Sequence, residues 1–478
     1  MRIGITLICL LAPAVANAET YEIFPTDDLF ARLRVLAAGD EVIVHAGTYT
    51  TPGFFQVTWT GTEASPITVR AADGERPVIV GTPAQNVIDL DGSYFTLRGF
   101  EIRGGSHGVR LAATDHAVLE DLVIHDLGDV GISCNRPGLD CSSVTIRRNE
   151  IFDTGKAGPG EGMYLGCNDA TCIFRDSIVE HNYVHDIGGD QGDGIEVKTG
   201  ASGVIVRDNV IVRTKYPGIT MYGFAGTGMP NVVERNLVWT TIDNGIQIVG
   251  QVRVRNNIVI AAGTNGIQSK ASQGHTPDDL EIVNNTIVGA GVACLKSNDW
   301  ATATGQLVAN NAVYCDGKIA IDLNGGAPNA MVVANVGLGT ANVPTGFALG
   351  RSVAEDLGDP AIGDVYPRAG SPLEGTGDAA HATTNDFDGC PRDTPVDIGA
   401  YERSPEGRLW AVAEAFKPAP SCGGTASDAG PVADGGIPVG ASTGCCNGHS
   451  SSSVVPGLLV GLAMLARRRR STQSGLRA

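Results

Sequence analysis

The sequence predicts an all-β fold, a right-handed parallel β-helix solenoid with short helical caps. Three observations predict it. The phrase VIVRDN at 204–209 has relatives before and after it: VTIRRN (144–149), IVEHN (178–182), VVERN (232–236), VRVRNN (252–257), LEIVNN (280–285) and LVANN (307–311). Each alternates apolar and polar residues and ends on an Asn, at 149, 182, 209, 236, 257, 285 and 311, with gaps of 33, 27, 27, 21, 28 and 26. A second phrase is interleaved with the first: GISC at 131, GMYL at 162, GIEV at 194, GITM at 218, GIQI at 245 and GIQS at 266. Finally, Gly is abundant, at 64 residues, while aromatics make up only 5%. That is the composition of a chain that turns in every repeat.

Period-2 alternation marks a strand buried on one face. Each repeat holds at least two such strands, too short to bury themselves alone. Stacking the repeats places strand on strand about 4.8 Å apart. Inward Val and Ile then sit on their counterparts in the next coil, and the Asn residues stack at a bend, where their amides can bond from rung to rung. A leucine-rich horseshoe fails because its LxxLxL spacing is absent, and helical repeats fail because the period is 2 rather than 3.6.

Residues 1–18 carry Arg2, an apolar run from Ile3 to Leu11 and small residues ending at Ala18. They read as a secretory signal peptide, so export and disulfides are expected. Thr26–Gly39 reads as an amphipathic helix capped by Thr26, with Leu29, Leu33 and Leu36 on one face. Its expected task is to cap the open end of the solenoid. The β-helix domain is assigned to 19–403. Its opening coils, GDEVIVHAGTYT (39–50) and SPITVRAADGERPVI (65–79), resemble the start of many secreted β-helix proteins, including the alginate lyase and chondroitinase B family. Coils continue through FTLRGFEI (95–102) and AVLEDLVI (117–124) to residue 324. NDFDGCPRDTPVDIGAYE (385–402) resembles the closing segment of bacterial β-helix proteins, and its DFDG reads as a turn rather than a calcium loop.

Residues 404–422 are expected to form a short helix carrying Leu409, Trp410, Val412 and Phe416, the cap at the opposite end. Residues 423–444 are a Gly, Ala, Asp, Pro and Ser linker. In 445–478 stand Cys445 and Cys446, an apolar run from Val454 to Ala466, and Arg467 to Arg470. This resembles the MYXO-CTERM type of sorting signal of myxobacteria and relatives. The resemblance implies trimming by a sorting protease and retention at the cell surface or outer membrane, or release as a secreted protein, with membrane contact only through this segment. Cysteine neighbours at 134 and 141, 167 and 172, and 294 and 315 could each staple a loop or adjacent coils, and Cys390 could pair with Cys422. Lys and Arg number 34 against 52 Asp and Glu. That acidic balance argues against nucleic acid as a partner.

Aligning the second phrase by its Gly makes columns. One place before it stand Glu161, Asp193, Pro217, Asn244 and Asn265; two places after it stand Tyr164, Glu196, Thr220, Gln247 and Gln268; four places after it come Lys198, Tyr222 and Lys270. Stacked coils turn these columns into one surface, with Asp190 beside it and Arg213 flanking it. Carboxylates around one Lys on rigid strands make this the candidate site. Two chemistries suit it. In β-elimination on an acidic polysaccharide, Ca2+ held by Glu161, Asp190, Asp193 and Glu196 would neutralise the uronate carboxylate. Lys198 would take the adjacent proton, and Tyr222 or Arg213 would deliver a proton or charge. In hydrolysis, paired carboxylates would activate water.

DGIEVKTGASGVIVRDN (193–209) is similar to the catalytic rung of the chondroitinase B and alginate lyase family. The resemblance implies that Asp193 and, one coil earlier, Glu161 are calcium ligands, and that Lys198 is the base. The family's catalytic Arg would fall at Thr220–Tyr222, where this chain has none. The rung also resembles the GDD-to-IKSG strand of polygalacturonases. There Asp193 matches the second Asp, but Gly192 replaces the first and YPGITMYG (216–223) lacks the expected His. The alternative from a different class is a non-catalytic surface protein, a carbohydrate binder or adhesin, displaying the same face. His181 and His185 are read as bend and surface residues.

Overall fold

The computed structural model describes residues 18–224, 228–323, 327, 329–405, 407–420 and 422. The segments read from sequence as a signal peptide (all but Ala18), a linker at 423–444 and a sorting signal at 445–478 lie outside the described residues.

Each coil contributes strands to three sheets, and every strand pairs in parallel with its counterpart one coil on. The first sheet stacks Ile132–Cys134, Met163–Leu165, Ile195–Val197, Ile219–Met221, Ile246–Ile248 and Asn265–Ser269. The second stacks the strands of the Asn-ending phrase, from Thr145–Arg147 to Leu307–Ala309. The third stacks Glu150–Phe152, Tyr183–Ile187, Val210–Thr214, Leu237–Trp239 and Ile258–Ala262. In the second sheet Val179, Val206, Val233, Val254, Ile282 and Val308 fall in one register column and are fully buried. Each such side chain contributes about 1.5–3 kcal/mol of apolar burial.

The Asn ladder forms and extends one rung past the repeats legible in sequence, to Asn335. Asn209 is typical. Its Nδ2 donates to Asn236 Oδ1 at 3.0 Å and to the Val179 carbonyl at 2.9 Å, and its backbone N–H donates to Asn236 Oδ1 at 3.0 Å. The residue before each ladder Asn is left-handed, as at Asp208 (φ 55°) and Asn256 (φ 57°). That sharp bend turns the chain into the third sheet, and the amides satisfy the backbone groups it would otherwise strand.

The N-terminal helix is shorter than expected. It spans Leu29–Leu33 rather than Thr26–Gly39, and its cap is Asp28, whose side chain accepts the Ala31 N–H. Trp59 Nε1 donates to the Leu33 carbonyl at 2.9 Å, taking the acceptor that a further turn would use. The helix buries Leu29, Phe30 and Leu33 against the core.

The C-terminal cap is also corrected. Among the described residues 404–422 there is no helix. The segment runs beside the third sheet instead of across the solenoid's end. Leu357, Val365, Leu373, Phe387, Tyr401 and Val412 pack on the outward Val210, Val212, Leu237, Ile258 and Ile260. Lys417 is buried in this seam, its Nζ 2.8 Å from Asp208 Oδ1. Of the apolar residues read as a helix face, Val412 and Trp410 pack in this seam while Leu409 and Phe416 stay exposed, so they do not form one buried helix face. DFDG is a turn, in which Asp386 accepts the Cys390 and Glu402 N–H groups. The four cysteine pairs form as disulfides: 134–141, 167–172, 294–315 and 390–422. His181 occupies a left-handed bend, and His185 stacks on Phe152 and Tyr183.

Candidate active site

The first sheet builds the site. Its strands open on Gly because the coils are close there: a Cβ on Gly194 would lie 2.5 Å from the Gly218 carbonyl oxygen and from Ile211 Cγ2. Ile195 and Val197 then point into the core, so Glu196 points outward. Register places Glu196 between Tyr164 on one side and Thr220 on the other. Lys198, one residue past the strand, folds back over this column.

Lys198 Nζ lies 2.7 Å from Glu196 Oε1 and 4.7 Å from the ring centres of both Tyr164 and Tyr222. The ammonium is therefore held by one carboxylate and two aromatic faces. Lys198 is 4% exposed and Glu196 5%, so the pair is shielded from water without being sealed from the adjoining cleft. That cleft, of about 360 Å³, is lined by Asp193, Glu196, Lys198, Thr220, Tyr222 and Lys270, among others.

Glu161 and Asp193 flank the pair. Burial, then the charge of Glu196, pushes the Glu161 carboxyl up to about 8. The same two causes hold Asp193 well above the usual carboxylate range, against the pull of a 2.6 Å hydrogen bond from Thr220 Oγ1 to its Oδ1. Glu161 is therefore predominantly protonated near neutral pH, and Asp193 is shifted in the same direction. Burial, again followed by Glu196, also raises the Tyr164 and Tyr222 hydroxyls above their ordinary range. The Tyr222 ring faces the Lys198 ammonium at 4.7 Å, on the side of the column that Glu196 occupies.

Five of the seven site residues expected from sequence thus come together: Glu161, Asp193, Glu196, Lys198 and Tyr222. Two do not. Asp190 is turned out to solvent, its carboxylate 2.7 Å from Lys215 Nζ. Arg213 stands on the third sheet, its guanidinium bound to Asp186 at 2.6 Å and also to Glu414. The C-terminal segment that supplies Glu414 could not be placed from sequence. Sequence reasoning also missed Gln273. It accepts from Thr199 Oγ1 at 2.8 Å and donates to Asn168 at 3.2 Å. Asn168 in turn accepts from Tyr164 Oη at 2.9 Å, in the loop closed by Cys167–Cys172. The cysteine pair was the only sequence signal for that loop.

The carboxylates expected to hold calcium do not form one donor set. Asp190 is drawn away, Glu196 Oε1 is occupied by Lys198, and Asp193 Oδ1 by Thr220. Among the described residues no group of three or more His, Cys, Asp or Glu side chains is disposed to hold a metal ion. The resident cation of the cluster is the Lys198 ammonium.

Comparison with known proteins agrees with the fold. An alginate lyase from Paenibacillus sp. str. FPU-7 matches at 21% identity and a TM-score of 0.50, covering 59% of this chain and 98% of that one. XylC in complex with xylose matches at 12% identity and a TM-score of 0.57, covering 81% and 99%. The pectate lyase Pel9A aligns at 15% identity and a TM-score of 0.46, over 82% and 98%. No curated protein sequence matches the chain. The family model described as the Pel9A-like, right-handed beta-helix region matches residues 13–276, more than half of the 478 residues. With coils, ladder and sheets in agreement, the chain belongs to the Pel9A-like right-handed β-helix family.

Proposed function

We propose that this is a carbohydrate-active protein, a polysaccharide lyase that cleaves a uronate polymer by β-elimination in the Lys198 cleft. One observation carries the reading: the buried Lys198–Glu196 pair, with the Tyr222 ring 4.7 Å from the ammonium, at the floor of a cleft. Lys198 passes a proton to Glu196 across their hydrogen bond, leaving an amine and a neutral acid. The amine takes the proton next to the uronate carboxyl group, and the C–H electron pair becomes the new C=C bond. The C–O bond to the leaving sugar breaks as Tyr222 gives its hydroxyl proton to that oxygen. Tyr222 recovers a proton from Glu196, so Lys198 ends as ammonium and Glu196 as carboxylate. Asp193, which lines the cleft and whose neutral form burial favours, is the group placed to donate a hydrogen bond to the substrate carboxylate as negative charge builds there. No step is routed through calcium.

The alginate lyase that shares this fold makes acidic polysaccharides the first substrates to try. Polygalacturonate, alginate and glycosaminoglycans are incubated with the full-length protein, and unsaturated product is read by ultraviolet absorbance. The expected result is absorbance on at least one polymer, abolished in Lys198→Ala and unaffected by chelation. Loss on chelation with recovery in calcium would return the carboxylates to a cation-binding role. Reducing ends without absorbance would identify a hydrolase. Binding without cleavage of any polymer would leave a surface carbohydrate binder. The sequences of the two ends support export and retention at the cell surface, to be checked by fractionation and by loss of the residues after Cys445.

A further inference from the structure

The outward column of the first sheet runs well beyond Lys198. From Arg110 the register passes through Ser133 and Tyr164 to Glu196, then through Thr220 and Gln247 to Gln268. Arg110 therefore lies three rungs to one side of Glu196. Lys270, two residues past Gln268, lies three rungs to the other side. At about 4.8 Å per rung, each is roughly 14 Å from the Lys198 rung.

These two cations differ from their neighbours on this face. Lys198 is paired with Glu196, Arg136 with Asp91 and Lys296 with Asp322. Arg110 has no ion pair among the described residues. Its Nε donates to Asn135 Oδ1 at 2.8 Å and its Nη2 to the Asn135 carbonyl at 3.3 Å. The charges of Asp89, beside it in register, and of Asp129 act on the guanidinium, but neither carboxylate makes an ion pair with it. Lys270 Nζ has neither ion pair nor hydrogen bond among the described residues, and Lys270 lines the cleft. Its loop is nevertheless fixed. Ala271 N–H donates to Asp299 at 3.0 Å, Ser272 and His275 form a backbone bridge, and Gln273 reaches Thr199 and Asn168. Among the described residues, two pre-positioned positive groups thus stand without a direct ion pair along one polar column.

The rise of one rung is close to the length of one pyranose unit, so a chain lying along the column meets about one rung per sugar. A guanidinium grips a carboxylate with two parallel hydrogen bonds, and an ammonium holds it as a point charge. We propose that Arg110 and Lys270 are carboxylate-binding subsites at the two ends of a track of about seven sugars centred on Lys198. The ligand class is a run of consecutive uronates at least that long. This rests on the polysaccharide reading above but not on its elimination chemistry.

Affinity electrophoresis of the full-length protein in gels containing polygalacturonate or alginate tests it, with the carboxyl-reduced polymers as blanks. Arg110→Gln and Lys270→Gln are each expected to weaken retardation severalfold, and the double variant about tenfold or more, at low salt. Arg207→Gln, in the second sheet and paired with Glu180, should be retarded like the wild type. A uronate trimer reaches neither end from the centre, so the double variant should lose far less affinity for it. Thermal unfolding checks that each variant is folded. Undiminished retardation of the double variant overturns the proposal, as does an equal loss on polymer and trimer. Retardation needs no turnover. A wild type that is retarded through Arg110 and Lys270 but yields no unsaturated product would therefore remove the elimination reading and keep the subsites.

Discussion

Replacing Lys198 with Met tests whether the ammonium holds the cluster together or only reacts. The side chain is of similar length and stays apolar between Tyr164 and Tyr222, so packing is largely preserved. What is lost is the 2.7 Å contact to Glu196, itself only 5% exposed. Removing one partner of a buried ion pair typically costs about 3–5 kcal/mol, because the other charge is left unpaired. Lys198→Met should therefore destabilise by about 3–5 kcal/mol at pH 7. Lys198→Met combined with Glu196→Gln, which leaves no charge behind, should recover most of that loss while remaining inactive. Denaturant unfolding of wild type, both single variants and the double variant gives the coupling. Equal stability of Lys198→Met and wild type at pH 7, or a double variant that sums the single losses, would refute the reasoning that Glu196 is buried and dependent on Lys198.

Two further outcomes follow from the same geometry. Asn236→Ala strands two buried donors, the backbone N–H and one side-chain N–H of Asn209, and should cost about 2–6 kcal/mol. Asn149→Ala at the ladder's end strands a single donor, the Leu122 N–H, and should cost about half as much, so equal unfolding midpoints for the two would contradict the ladder's role. Glu161, pushed up to about 8, binds a proton in the folded protein that the unfolded chain releases above about pH 4.5. Its contribution to stability therefore falls as pH rises between those values. Glu161→Gln should raise the unfolding midpoint near pH 8.5 and leave it unchanged near pH 5, and the same increment at both pH values would show that Glu161 is not the titrating group.

The solenoid was legible because its physics is local and repeated. A strand buried on one face must alternate, and a stacked Asn must recur once per coil, so both leave a mark in one dimension. Column alignment by the leading Gly was enough to bring Glu161, Asp193, Glu196, Lys198 and Tyr222 together, since register converts spacing into proximity. It failed at Asp190 and Arg213, which sit near the site in sequence. Asp190 lies in the turn before its strand, where solvent and Lys215 set its direction. Arg213 is on the strand after the ladder bend, which carries it to another sheet and to Glu414, 201 residues away. Thr26 lost the helix cap to Asp28 for a similar reason: Trp59, from a later coil, closes the helix at Leu33.

By itself the sequence determined the fold class, the order of the coils, the ladder positions and the carboxylate–lysine column, because each follows from a repeat and its register. Only the tertiary structure decided that Lys198 is paired with Glu196, and that the C-terminal segment flanks the third sheet rather than capping an end. It alone also left Arg110 and Lys270 without a direct ion pair among the described residues. Those outcomes depend on which distant groups compete for each charge, and competition among side chains far apart in the chain leaves no periodic trace.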